Sequence, residues 1–235
     1  MRYALYFTPP PSHPLTAAAS RWLGRDAFSG GMQPLPHVSG VTALQGERLV
    51  GEPRRYGFHG TLVAPFRLSP AATPDQLGRL AETFCADLRP FELPKLEIVR
   101  IGRFFALCPE RRDSRIDNLA ASAVDHFNPL RAPLDEAEIA RRKPDALTAR
   151  QQAYLLRYGY PYVKEEFRFH MTLTGPVDAG EEAPVQAALQ AWFEPVLAEP
   201  ISIESLCIFN EPETGAPFVV LSRHAFAAAT ARKIA

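Results

Sequence analysis

Two five-residue stretches, Phe58-His59-Gly60-Thr61-Leu62 and Phe169-His170-Met171-Thr172-Leu173, each set a histidine two residues ahead of a threonine, between the same two apolar residues. With 6 His and 11 Thr in 235 residues, a Thr two places after a His is expected about 0.3 times, so a recurrence with matching flanks is not an accident of composition. An imidazole titrates near about pH 6.5, so of two neighbouring ones the first can be neutral and the second protonated at neutral pH. That is a general base beside a general acid. Opening a cyclic phosphodiester needs both, together with donors for the phosphoryl oxygens, and the hydroxyls of Thr61 and Thr172 supply the donors. The chemistry calls for no cofactor and no metal. Neither motif has the ligand spacing of a metal site.

Apolar and polar residues alternate in both motifs, which is the period of a half-buried strand. His59 and Thr61 then share one face, as do His170 and Thr172, while Phe58 and Leu62 anchor the core. Arg168, two residues before His170, shares that residue's face and could bind a phosphate with both arms of its guanidinium. The first motif has Gly57 in the equivalent place. Tyr6, on a first strand over residues 2–8, could stack on a sugar or base, or fill core. His13, His37, His126 and His224 lack the motif and read as structural.

The elements that must hold these residues follow from pattern and punctuation. Strands are expected near 55–62 and 166–174, each followed by a helix and two strands: 74–88, 91–99 and 102–108 in the first half, 182–197, 201–209 and 217–223 in the second. Ser29-Gly30-Gly31 to about Gly51 reads as a surface excursion, and a helical insert occupies about 114–160. The repeated order predicts an α+β fold in one domain, 1–235. Two pseudo-symmetric lobes would place two antiparallel sheets along a central cleft, with helices outside.

The 26 basic residues balance 26 acidic ones, so no global field draws in a long nucleic acid, and a small phosphorylated substrate fits better. Cys85, Cys108 and Cys207 are too few and too widely spaced for a disulfide framework or a zinc cage. No signal-peptide pattern and no membrane-length apolar run is present, so the expected location is cytoplasmic. The sequence is silent on oligomeric state.

On His59-Gly60-Thr61-Leu62 and His170-Met171-Thr172-Leu173 the chain resembles the two-histidine phosphoesterase superfamily. The likeness extends through the aromatic first strand ending in proline, Tyr56-Gly57-Phe58-His59, Arg131-Ala132-Pro133, Gly159-Tyr160-Pro161-Tyr162 and Phe167-Arg168-Phe169-His170, which are similar to the branch associated with phosphonate (carbon–phosphorus lyase) metabolism. The resemblance implies metal-independent hydrolysis of a small cyclic phosphodiester, such as a phosphoribosyl 1,2-cyclic phosphate, with the insert shaping specificity. Other branches carry out transesterification or reversible 2′-5′ RNA ligation. A phospho-ligand or RNA-end binding module without turnover is the rival from another class.

Overall fold

The computed structural model describes residues 1–198 and 200–227. Strand β1 (Arg2–Phe7) leads through α1 (Pro14–Leu23) and α2 (Ala43–Tyr56) to β2 (Gly60–Phe66). Helix α3 (Pro74–Ala86), the short β3 (Phe91–Glu92) and the hairpin β4 (Leu96–Ile101) and β5 (Phe104–Pro109) complete the first half. The insert consists of α4 (Ser114–Phe127), α5 (Glu136–Arg141) and α6 (Ala149–Tyr158). Then come β6 (Met171–Thr172), α7 (Glu182–Phe193), β7 (Ser202–Ile203) and the hairpin β8 (Ser205–Glu211) and β9 (Val219–Ala225). Strand, helix, short strand, hairpin is therefore the order in both halves.

The fold is α+β, and its two antiparallel sheets are unequal. Seven strands form one sheet in the order β4-β5-β6-β2-β1-β8-β9, and β3 pairs with β7 in a separate ribbon. The expected pair of sheets along a cleft is thus corrected: both histidine motifs lie at the centre of the same sheet. Strand β1 sits between β2 and β8. Its Tyr3, Leu5 and Phe7 enter the main core with α3, α4 and α7, while Ala4 and Tyr6 enter a smaller cluster on the opposite face with Phe209 and Phe218.

Helix α2 replaces the last part of the expected surface excursion. Gly46, Gly51 and Pro53 lie within it and make its sequence read as a breaker-rich loop. The helix forms because Thr42 and Gln45 close a capping box and Leu49, Val50 and Pro53 are buried along it. Tyr56 is its last residue, so the first histidine strand starts later than expected, at Gly60. Gly57 ends the helix at φ 74°, where a Cβ would come within 2.5 Å of the Ala27 Cβ. Only glycine takes that turn without strain. The second histidine strand is also shorter than expected, with Met171 and Thr172 alone in the ladder. Helix α3 starts behind Thr73 and α4 spans Ser114–Phe127, both where the pattern puts them. Among the described residues no helix is long and apolar enough to cross a membrane.

Candidate active site

The site is set by one register. Strands β2 and β6 are antiparallel with Gly60 opposite Met171. One step either way puts His59 opposite Thr172 and Thr61 opposite His170, and residues directly opposite share a face. Phe58, Leu62, Phe169, Met171 and Leu173 all belong to the main core. The two histidines and two threonines therefore emerge together on the other face. Gly60 is required between them, since a Cβ there would lie 2.5 Å from the Phe169 ring. Phe169 fills the space a side chain would take.

Each imidazole is fixed in the same way. His59 Nδ1 lies 2.9 Å from the Gly57 carbonyl oxygen, and His170 Nδ1 lies 2.8 Å from that of Arg168. A carbonyl can only accept, so Nδ1–H donates in both, and Nε2 is left for a ligand. Burial pushes His59 down to about 4, against the upward pull of its Gly57 hydrogen bond, and the charge at His170 lowers it further. His170 is also lowered, by burial first and then by the Arg168 charge. One proton on the pair thus disfavours a second. Neither threonine hydroxyl is hydrogen-bonded to another described residue, whereas the buried Thr174 hydroxyl two positions on accepts from the Phe105 amide.

Two adjoining cavities, of about 450 and 330 Å³, share Thr61, Ala64, Phe104 and Tyr160. His170 and Arg168 line the larger; His59, Thr172 and Tyr6 line the smaller. Arg168 is exposed and lies beside the Cys108 thiol, which burial pushes up and the guanidinium pulls down. Tyr6 is 1% exposed, and its ring stacks on His59 with centroids 3.8 Å apart and planes at 20°. It forms the floor under that imidazole. His170 has Phe104 at a looser 5.8 Å.

Three cleft residues escaped the reading of the residue pattern, Arg2, Tyr56 and Tyr160, and a fourth, Arg142, belongs to the basic run Arg141-Arg142-Lys143, one of several clusters that read mostly as surface. Tyr56 and Tyr160 had appeared only inside the resemblance signatures. Arg2 bonds the fully buried Glu211 at 2.5 Å, a carboxylate that also receives Arg55. Tyr160 follows Gly159, which stands at φ 75° against the Arg131 side chain. Arg131 in turn donates to the carbonyls of Ala132 and Arg157 and to the Asn128 side chain. The Arg131-Ala132-Pro133 and Gly159-Tyr160 signatures are therefore two halves of one brace that delivers Tyr160 to the cleft.

Among the described residues, no group of three or more His, Cys, Asp or Glu is placed to hold a metal ion. The chain is 39% identical over 229 residues, 96% of its length, to a protein of Janthinobacterium sp. (strain Marseille) named ribose 1,5-bisphosphate phosphokinase PhnN. It is 36% identical over 218 residues to a protein of the same name from Laribacter hongkongensis (strain HLHK9), covering 93% of the chain. It spans about half the length of these relatives, 51% and 50%. A crystal structure of a phosphoesterase aligns with 96% of this chain and 98% of its own, at 12% identity and a TM-score of 0.39. Residues 61–219 match the family described as "Protein of unknown function (DUF1045)", and the chain belongs to that family.

Proposed function

We propose that the protein is a metal-independent phosphodiesterase of the two-histidine class that opens a small cyclic phosphodiester. The observation that carries this reading is the reciprocal pairing of His59 with Thr172 and His170 with Thr61 on one cleft face, with both Nδ1 atoms engaged and both hydroxyls unengaged among the described residues. The repeated order of elements supports an origin by duplication, with the cleft between two pseudo-symmetric halves.

We assign the base to His59, whose imidazole is stacked on the Tyr6 ring and held down to about 4 by burial. Its Nε2 takes a proton from water as the water oxygen bonds to phosphorus. The bond from phosphorus to one ring oxygen breaks, and that alkoxide receives the Nε2 proton of the His170 imidazolium. The product is a phosphate monoester and a free hydroxyl, and solvent exchange returns the proton from His59 to His170. Thr61 and Thr172 donate to the non-bridging oxygens as charge builds in the transition state. The negative substrate itself favours the imidazolium that the empty cleft disfavours.

The relatives' names support a sugar substrate. Breaking the bond between phosphorus and the C2 oxygen of 5-phosphoribosyl 1,2-cyclic phosphate leaves ribose 1,5-bisphosphate, the compound in the printed name of both proteins. The test is phosphorus-31 NMR of chelator-treated protein with ribose 1,2-cyclic phosphates and nucleoside 2′,3′-cyclic phosphates, beside His59→Ala and His170→Ala. Turnover by the unmutated protein alone is expected. Ligand binding equal in all three proteins without turnover would replace catalysis with a binding role.

A further inference from the structure

The smaller cavity is lined by two guanidiniums, Arg2 and Arg142, that belong to neither histidine motif. Arg142, at the C-terminal cap of α5, lines it with its guanidinium 5.1 Å from the centre of the Tyr160 ring. Among the described residues Arg142 forms no ion pair. Arg2, the other arginine in this cavity's described lining, shares Glu211 with Arg55, and Arg131 behind Tyr160 is engaged with carbonyls and Asn128. Even there one carboxylate faces two guanidiniums, which leaves a positive balance behind Arg2. Glu52 is the one acidic residue in the described lining of this cavity, against Arg2 and Arg142.

The tyrosines point the same way. Tyr56 and Tyr160 line the cavity, and neither hydroxyl is hydrogen-bonded to another described residue. Tyr56 is held by its stack on Phe218 at 5.2 Å, and Tyr160 by the Arg131–Gly159 brace. Two rigid phenol donors and an unpaired guanidinium suit a phosphate monoester, which carries close to two charges and three acceptor oxygens. Arg142 lines only the cavity that contains His59, whereas Tyr160 and Thr61 lie where the two cavities meet. A second anion would therefore sit to the His59 side of the scissile group.

We infer that Arg142, Tyr160 and Tyr56 form a second anion subsite on the His59 side of the cleft, which selects cyclic phosphodiesters bearing an additional phosphate monoester. The inference rests on the cyclic phosphodiesterase reading for its consequence in turnover, but the subsite itself is a binding claim. It also gives the helical insert a task, since α5 supplies the guanidinium and the turn after α6 supplies the phenol.

Two measurements separate the claims. First, kcat/KM is compared for ribose 1,2-cyclic phosphate with and without a 5-phosphate, in the unmutated protein and in Arg142→Gln and Tyr160→Phe. Loss of hydrogen bonds to a charged group should cut the preference for the 5-phosphorylated compound about 10- to 100-fold in Arg142→Gln and less in Tyr160→Phe. An unchanged preference in Arg142→Gln, or no preference in the unmutated protein, overturns the subsite. Second, calorimetry with ribose 5-phosphate and ribose reads the subsite without catalysis. Tighter binding of ribose 5-phosphate that Arg142→Gln abolishes supports the subsite even if no cyclic phosphate turns over, in which case only the phosphodiesterase reading falls. Equal binding of ribose 5-phosphate by both proteins overturns the subsite whatever the turnover shows.

Discussion

His59 stands opposite Thr172 across the β2–β6 pair, so the hydroxyl nearest each imidazole across the ladder belongs to the other motif. Each motif is completed by its partner. A substitution in one should therefore be felt by both.

Thr61→Val and Thr172→Val should each lower kcat/KM by about 10- to 100-fold, the worth of a hydrogen bond to a charged oxygen. Either histidine changed to alanine should cost about 10² to 10⁴. Because both hydroxyls serve one phosphoryl group, the double threonine variant should depart from the product of the single losses. Steady-state kinetics of the four-member cycle reads the coupling, and strict multiplicativity would separate the two threonines.

The proposed roles make the two histidine variants differ in kind. His170→Ala removes the proton given to the leaving alkoxide, so its defect should shrink at least tenfold on a phosphodiester with a nitrophenolate leaving group, which needs no acid. His59→Ala should gain no such relief. The opposite pattern would exchange the assignments.

Both imidazoles are lowered in the empty cleft, His59 to about 4. The kcat/KM profile, which follows the free protein, should therefore be a bell centred below about pH 6.5. The kcat profile, which follows the loaded protein, should extend to higher pH because the bound anion favours the imidazolium. Coincident profiles would mean that substrate leaves both proton affinities unchanged.

Stability should show the same burial. Below about pH 6.5 the unfolded chain takes up a proton at His59 that the folded protein refuses until about pH 4. Stability contributed by a neutral His59 is thus complete above that range and is lost as pH falls through it. Melting temperature should drop less between pH 7 and 4 in His59→Gln than in the unmutated protein. Parallel curves would show an imidazole that titrates freely.

Gly60→Ala should destabilise by about 1–3 kcal/mol, since the new methyl meets the Phe169 ring inside a packed core. Thermal denaturation measures this, and Phe169→Leu in the same chain should recover part of the loss. No recovery would place the strain elsewhere.

Much of this site was legible because its chemistry is local. His-x-Thr on an alternating strand gives the face that both side chains share, and the core positions of Phe58 and Leu62 follow from parity, with Phe169 and Leu173 matching them in the second motif. Helices with clean caps, such as α3 behind Thr73-Pro74, were equally plain. Helix α2 was hidden by Gly46, Gly51 and Pro53, whose local cost is met by burial of Leu49 and Val50 against distant residues. That the two motifs share one sheet was not legible either, because pairing of β2 with β6 depends on strands 111 residues apart. Arg142 could not be singled out for a simpler reason: Arg141-Arg142-Lys143 is a basic run that a fold could turn toward a cleft or leave on the surface, and only the path of the insert separates Arg142 from its neighbours.

Strand β1 gives the sheet an asymmetry that two matching motifs alone would not have. It lies against β2, with no counterpart between β6 and β5, and carries the Tyr6 ring to the underside of His59 alone. Burial on that side holds the His59 imidazole down to about 4. Two matching motifs thus stand in unlike surroundings, and the difference is written into a strand that belongs to neither.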